Sequence, residues 1–225
     1  MKWLVLALLA LSAGAWAQRS GLDYASPEIR RLQASDAENP GMLWVDEGEK
    51  LFAARCVSCH ASMKGVAARY PRIVDGKIVT LDAMVRHREA FAYESEELLA
   101  LTTYIAYQSR GLPIGQQLSQ KEVQKGRSEY FRRRGQMNLA CTHCHDANAG
   151  KRIGPETISE GQPNGYPTYR LRWQTLGSLE RRLRACLSGV HAEMPAYGDP
   201  LLLELEAYLA WRGRGLPIEA PAVRP

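Results

Sequence analysis

Apolar residues in this chain fall into two blocks with the same helical spacing. Positions 95–109 carry Leu, Ala, Ile and Tyr at three- and four-residue steps, and 200–212 repeat the pattern. Each block runs into a glycine, Gly111 or Gly215, with a proline two positions on, a helix-stop signal. Upstream, Asp46 with Glu49 has the form of a capping box and predicts a helix running into Cys56. Ser119 with Glu122 has the same form and predicts a helix over 120–134, with Val123, Tyr130 and Phe131 turned inward. Ser178 predicts a helix start before "LERRLRACL", ending at Gly189. The segments between read as loops, with 77–79 and 168–173 pairing locally at most.

The chain repeats itself. Arg-Gly-Leu-Pro-Ile at 110–114 recurs at 214–218, and Cys-Val-Ser-Cys-His at 56–60 is matched by Cys-Thr-His-Cys-His at 141–145. A unit of roughly 100 residues is duplicated, which divides the chain into 44–115 and 116–225, joined near 111–119. Residues 18–43 lack periodicity and read as an irregular N-terminal arm, and the last seven residues as an extended tail.

Residues 1–17 open with Lys2, continue as an apolar run and end in Ala15-Trp16-Ala17. This is the pattern of a cleaved secretory signal, so the mature chain is expected to begin near Gln18, in the periplasm and without a membrane span. Without Lys2 the chain carries 28 basic and 24 acidic residues, too mild and too scattered for nucleic-acid binding.

Export gives the cysteines their meaning. Cys-x-x-Cys-His in an exported protein is a covalent haem attachment signal: two thioethers hold the porphyrin and the adjacent His supplies the proximal ligand. Cys56, Cys59 and His60 would hold one haem c, and Cys141, Cys144 and His145 a second. A zinc site wants a further Cys/His pair nearby, and a thioredoxin-like site a βαβ pattern; neither is present. His143, inside the second motif, reads as a solvent-facing or propionate-side residue. The expected fold is mostly α, two tandem cytochrome c-like domains with short irregular or β-hairpin insertions.

The fifth cysteine, Cys186, is left over. On the helix capped by Ser178 it shares a face with Leu179 and Leu183, and Arg182 lies four residues before it. An adjacent arginine favours thiolate and attracts anions. Spacing alone leaves three readings open: a buried structural thiol, a haem ligand, or a reactive centre. Met194, in a Met-Pro loop before the last helix, competes for the second iron, and His191 is a weaker candidate.

The second half, from Gly161 to Pro225, and in the first half "MKGVAARYPRIVDGKIVTLDAMV" and "YESEELLALTTYIAYQSRGLPI", closely resemble SoxA, a subunit of the periplasmic SoxAX cytochrome complex, in its dihaem form. The resemblance implies an L-cysteine S-thiosulfotransferase. Thiosulfate is joined oxidatively to a cysteine of a SoxYZ-like carrier, with electrons passed to haem, and a SoxX-like monohaem cytochrome is the partner subunit. It also implies that Cys186 is the distal ligand of the second haem, able to carry a persulfide, and that Arg182 binds substrate. Arg170 and Arg172 would join Arg182 in an arginine-lined entrance for the thiosulfate dianion. One departure stands out: no cysteine lies between Cys59 and Cys141, and His87 occupies the place of the family's second distal cysteine. Thr80 would cap a helix carrying His87, so His60 and His87 are expected to hold the first iron, ahead of Met63 or Met84. A plain dihaem electron carrier and a thiosulfate dehydrogenase forming tetrathionate are the alternative functions.

Overall fold

The computed structural model describes residues 18–225; the expected signal segment at 1–17 lies outside the described residues. The described chain is mostly helical, with small sheets between. Helices α1 (Pro27–Ala34) and α2 (Met42–Arg55) lead in. Strands β1 (Arg72–Val74) and β2 (Lys77–Val79) form a hairpin before α3 (Leu81–Glu89) and α4 (Glu96–Tyr107). The second half carries α5 (Gln124–Phe131), α6 (Cys141–His145), the hairpin β3 (Arg152–Ile153) and β4 (Glu156–Thr157), then β5 (Thr168–Arg170) and β6 (Thr175–Gly177). It ends with α7 (Leu179–Gly189), α8 (Pro200–Arg212) and β7 (Ala222–Arg224).

The same helix crossing occurs in both halves, for the same reason. Gly48 of α2 lies against Ala100 and Tyr104 of α4, and Gly126 of α5 lies against Glu204 and Tyr208 of α8. A Cβ at Gly48 would overlap the Ala100 carbonyl, and one at Gly126 the Glu204 carbonyl. Glycine lets two backbones approach this closely. Around each crossing is a separate core: Phe52, Cys56, Val85, Leu98, Leu101 and Ile105 in the first half, and Tyr130, Leu183, Leu187, Leu202, Leu205 and Leu209 among others in the second.

The duplicated Arg-Gly-Leu-Pro-Ile phrases were expected to stop helices and lead into a linker. They also pair with each other. The N–H of Gly111 donates to Ile218 O and that of Gly215 to Ile114 O, each at 2.9 Å, while Ile114 N–H donates to Leu216 O and Ile218 N–H to Leu112 O. Equivalent residues exchange equivalent bonds, a self-complementary pairing like that of an isologous dimer within one chain. Ala106, Ile114, Ala210 and Ile218 pack beneath it. Beside this seam lies a cavity of about 110 Å³, lined in part by Asp82, Asn164, Tyr166 and Glu206.

Several sequence expectations shift. The arm 18–43 is not irregular: it contains a short 3-10 turn, Gly21–Tyr24, and α1, capped by Ser26. Helix α2 begins at Met42 with Gly41 as its cap, so Asp46 and Glu49 lie inside it and make no capping box. The Ser119–Glu122 box does form, with Ser119 N–H donating to Glu122 Oε2 at 2.6 Å and Glu122 N–H to Ser119 Oγ at 3.3 Å. It heads a turn, however, and the helix proper spans only 124–131, leaving Phe131 exposed. The C-terminal tail is held: β7 pairs parallel with β5, and Val223 N–H donates to Gln33 Oε1 of α1 at 3.1 Å. Among the described residues no helix is long and apolar enough to cross a membrane.

Candidate haem and sulfur site

Helix α6 is one short turn bearing Cys141, Cys144 and His145 on its surface, all half-buried. The residue after it, Asp146, fixes it to the second core. Asp146 Oδ1 accepts from Tyr130 Oη at 2.8 Å and from Arg212 Nη2 at 2.6 Å, and Arg212 also bonds the Tyr130 hydroxyl. Helices α5, α6 and α8 are thereby tied at one point. Burial is the main reason the Tyr130 phenol is pushed far above its usual pKa.

His145 has a defined tautomer. Its Nδ1 lies 2.7 Å from the carbonyl of Ser159, which can only accept, so Nδ1 carries a proton and Nε2 is left for the contact with Cys186. Gly161 makes room for the ring: its φ is +71°, and a Cβ there would stand 3.0 Å from His145 Nδ1.

Helix α7 brings Cys186 to this histidine. Ser178 caps the helix as expected, its Oγ accepting from Arg181 N–H at 3.1 Å. Leu183 and Leu187 are buried in the second core, with Leu179 packed beside them. Cys186, half-buried, thereby comes to rest at His145. Burial pushes the Cys186 thiol up, but the Arg182 guanidinium, a hydrogen bond and charge from His145, and Arg170 together pull it down, to about 7. Cys141, by contrast, is pushed up to about 11 by burial and by the nearby Cys186 sulfur. The remaining α7 arginines face elsewhere: Arg181 stacks over Trp173 and Arg184 over Tyr197.

Three arginines converge on one carboxylate that sequence reasoning did not single out. Glu156 of β4 lies 2.8 Å from Arg170 Nη2, 3.2 Å from Arg172 Nη2 and 3.9 Å from Arg182 Nη2. Tyr166 is a second missed neighbour, close enough to Arg182, Arg170 and Cys186 to feel their charge, though burial is what chiefly raises its pKa. Both sit in the aperiodic stretch 154–174, where no pattern marked them.

The other sequence candidates stand apart from this pairing. Met194 is 49% exposed. His191 is exposed, with its Nδ1 3.4 Å from Gln136 Oε1. His143 is half-buried, and its Nδ1 accepts from Ala140 N–H at 3.0 Å. In the first half, Cys56 closes α2 and is buried in the core, while Cys59 and His60 are exposed. Thr80 caps α3 through Ala83 N–H at 3.1 Å, and His87 lies exposed on that helix. Val85 of α3 packs in the same core as Cys56, and Arg55 reaches Glu89 at 3.3 Å, so α3 lies over the end of α2. Met63 packs against this core, and Met84 is half-buried.

The donor set suits a haem. Paired thiols precede a histidine whose ring is oriented by a backbone carbonyl, and a second soft donor, Cys186, lies beside it. Among the described residues no three His, Cys, Asp or Glu side chains form a cage for a metal ion. Fold and site together define a c-type cytochrome, and residues 43–114 match the family model described as the SoxA/TsdA cytochrome c domain. The chain is 38% identical to the L-cysteine S-thiosulfotransferase subunit SoxA of Pseudaminobacter salicylatoxidans, over 91% of this chain and 80% of that protein. It is 33% identical to the corresponding subunit of Paracoccus pantotrophus, over 91% of this chain and 78% of that one. A crystal structure of SoxXA from P. pantotrophus superposes with a TM-score of 0.85 at 30% identity, covering 92% of this chain and 87% of that chain. The chain belongs to the SoxA family.

Proposed function

We propose that this chain is the thiosulfate-conjugating subunit of a periplasmic SoxAX-type complex. It joins thiosulfate to a cysteine of a SoxYZ-like carrier. The observation that carries the reading is the meeting of His145, Cys186 and Arg182: a histidine oriented by the Ser159 carbonyl, a thiol drawn toward thiolate, and a guanidinium beside it.

In this reading residues 44–115 and 116–225 are tandem cytochrome c-like domains behind a cleaved signal at 1–17, each with one covalent haem c. Cys141 and Cys144 would hold the second haem, with His145 and Cys186 as the residues that would ligate its iron. Cys56 and Cys59 hold the first, with His60 and His87 as ligands. The exposure of His60 and His87 in the polypeptide, and the packing of α3 over the Cys56 end of α2, support that pairing.

The residues then divide the work. Arg170, Arg172 and Arg182 attract and orient the dianion. The Ser159 carbonyl keeps the His145 proton on Nδ1. Cys186 presents a nucleophilic sulfur whose charge Arg182 stabilises. In the overall change the carrier loses its S–H bond and gains an S–S bond to the sulfane sulfur of thiosulfate, and one proton and two electrons are released. Haem, when bound, supplies the redox capacity to accept those electrons. A SoxX-like monohaem cytochrome is the partner subunit.

The test is mass spectrometry of the carrier after incubation with thiosulfate, an electron acceptor and the holo-complex. A thiosulfonate adduct on the carrier cysteine is expected. Tetrathionate formed without carrier, and no adduct, would instead make the chain a thiosulfate dehydrogenase.

A further inference from the structure

The geometry points to Glu156 as a resident counter-anion of the arginine cluster: a carboxylate on a movable hairpin that holds the place of a substrate dianion and is displaced when one enters. The inference rests on thiosulfate being the substrate and adds a positioning residue to that site.

The charge balance comes first. Three guanidiniums face the Glu156 carboxylate and the Cys186 thiolate, which leaves one surplus positive charge; release of Glu156 leaves two, matched by one dianion. The three contacts are unequal. Arg170 is 4% exposed within the sheet and holds Glu156 at 2.8 Å, while its Nε is buried without a partner. Arg172 is mostly solvent-exposed and Arg182 stands at 3.9 Å, beyond hydrogen-bond range. Arg172 and Arg182 are therefore the groups free to turn to a new anion.

The carrier of Glu156 is built to move. The hairpin β3–β4 has only two residues per strand, and its tip, Gly154 and Pro155, is exposed. Ile153 is 62% exposed, so its side chain anchors nothing. Gly154 has open space around it, with a φ of +56°. The base of the hairpin is closed by Gly150 N–H to Ile158 O at 2.7 Å and Ile158 N–H to Lys151 O at 2.9 Å; beyond that base the ion pairs of Glu156 tie it to Arg170, Arg172 and Arg182. An entering dianion competes for those guanidiniums and frees the hairpin. The same competition would favour dianions over monoanions, which match the surplus charge less well.

Sulfate, a redox-inert dianion, is the probe. Calorimetry at low ionic strength compares the holo-protein with its Glu156→Gln and Glu156→Asp variants. Glu156→Gln is expected to bind sulfate about tenfold more tightly, and Glu156→Asp, which keeps the charge, within about twofold of the wild type. The KM for thiosulfate should fall in Glu156→Gln by more than kcat changes. A carboxylate that only scaffolds the arginines gives the opposite sign, so unchanged or weaker sulfate binding in Glu156→Gln overturns the inference. If that variant does not fold, hydrogen exchange of the wild type decides: amides 150–158 should exchange faster in saturating sulfate, and equal or slower exchange overturns it. Altered sulfate binding without any carrier conjugation would retain the counter-anion and reject thiosulfate transfer. Conjugation with sulfate binding insensitive to Glu156 would do the reverse.

Discussion

Replacing Asp82 with Asn should stabilise the protein at alkaline pH and leave it unchanged in acid. Asp82 stands at the N-terminal turn of α3, beside the cavity at the seam between the halves. Burial, then the negative charges of Glu94 and Glu180, raise its pKa from 3.8 to about 7, against a lowering influence of the nearby Thr102 hydroxyl. Glu206, Glu94 and Glu180 are raised too, each chiefly by burial, and the Oε1 of Glu206 has no partner. The folded state thus binds a proton at Asp82 that the unfolded chain releases above pH 3.8. Stability is greatest below that value, declines as pH rises through the window to about 7, and is level beyond it. A rise from 3.8 to about 7 corresponds to about 4 kcal/mol, an upper figure because the seam can relax or admit water. Asn keeps the shape and the Thr102 contact without the charge. Urea unfolding followed by circular dichroism, at pH 4 and pH 8, should find Asp82→Asn level with the wild type in acid and more stable at pH 8 by up to about 4 kcal/mol, or about 10 °C in Tm. A variant no more stable than the wild type at pH 8 would refute the reasoning.

Three further outcomes follow from named contacts. Gly126→Ala should cost at least about 1–3 kcal/mol in chemical denaturation, because the new methyl meets the Glu204 carbonyl and Tyr208 Cβ; a neutral result would contradict the close α5–α8 crossing. Ser178→Ala removes the cap of the Cys186 helix and should cost about 1 kcal/mol, with the haem spectrum retained. His87→Ala should alter the low-temperature EPR signal of one haem and spare the other; an unchanged spectrum would remove His87 as a ligand.

The helices were legible where sequence signals were local and redundant. Ser178 and Thr80, both marked as caps in the sequence, each cap the helix that follows them, so propensity and capping agree. The Asp46–Glu49 pair misled because Trp44 and Val45 extend the helix backward to Met42, where burial of Val45 outweighs a missing side-chain cap. Two features were invisible for a different reason: they depend on contacts distant in sequence. The repeated Arg-Gly-Leu-Pro-Ile phrases bond to each other across about 100 residues, and a helix-stop pattern carries no information about its partner. Glu156 likewise meets Arg170, Arg172 and Arg182 only once the hairpin folds over β5 and α7. Cys186 was singled out by counting and Arg182 by helical spacing; the SoxA resemblance implied that the sulfur shares a haem with His145, and the fold brings the two residues together.

The central claim is that the Cys186 sulfur handles thiosulfate. Its most direct test is single-turnover transfer by the Cys186→Met variant, loaded with haem and compared with the wild type in the mass of the carrier protein. The variant should keep its haem absorbance and form no thiosulfonate on the carrier; adduct formation at the wild-type rate would contradict a thiosulfate-handling Cys186.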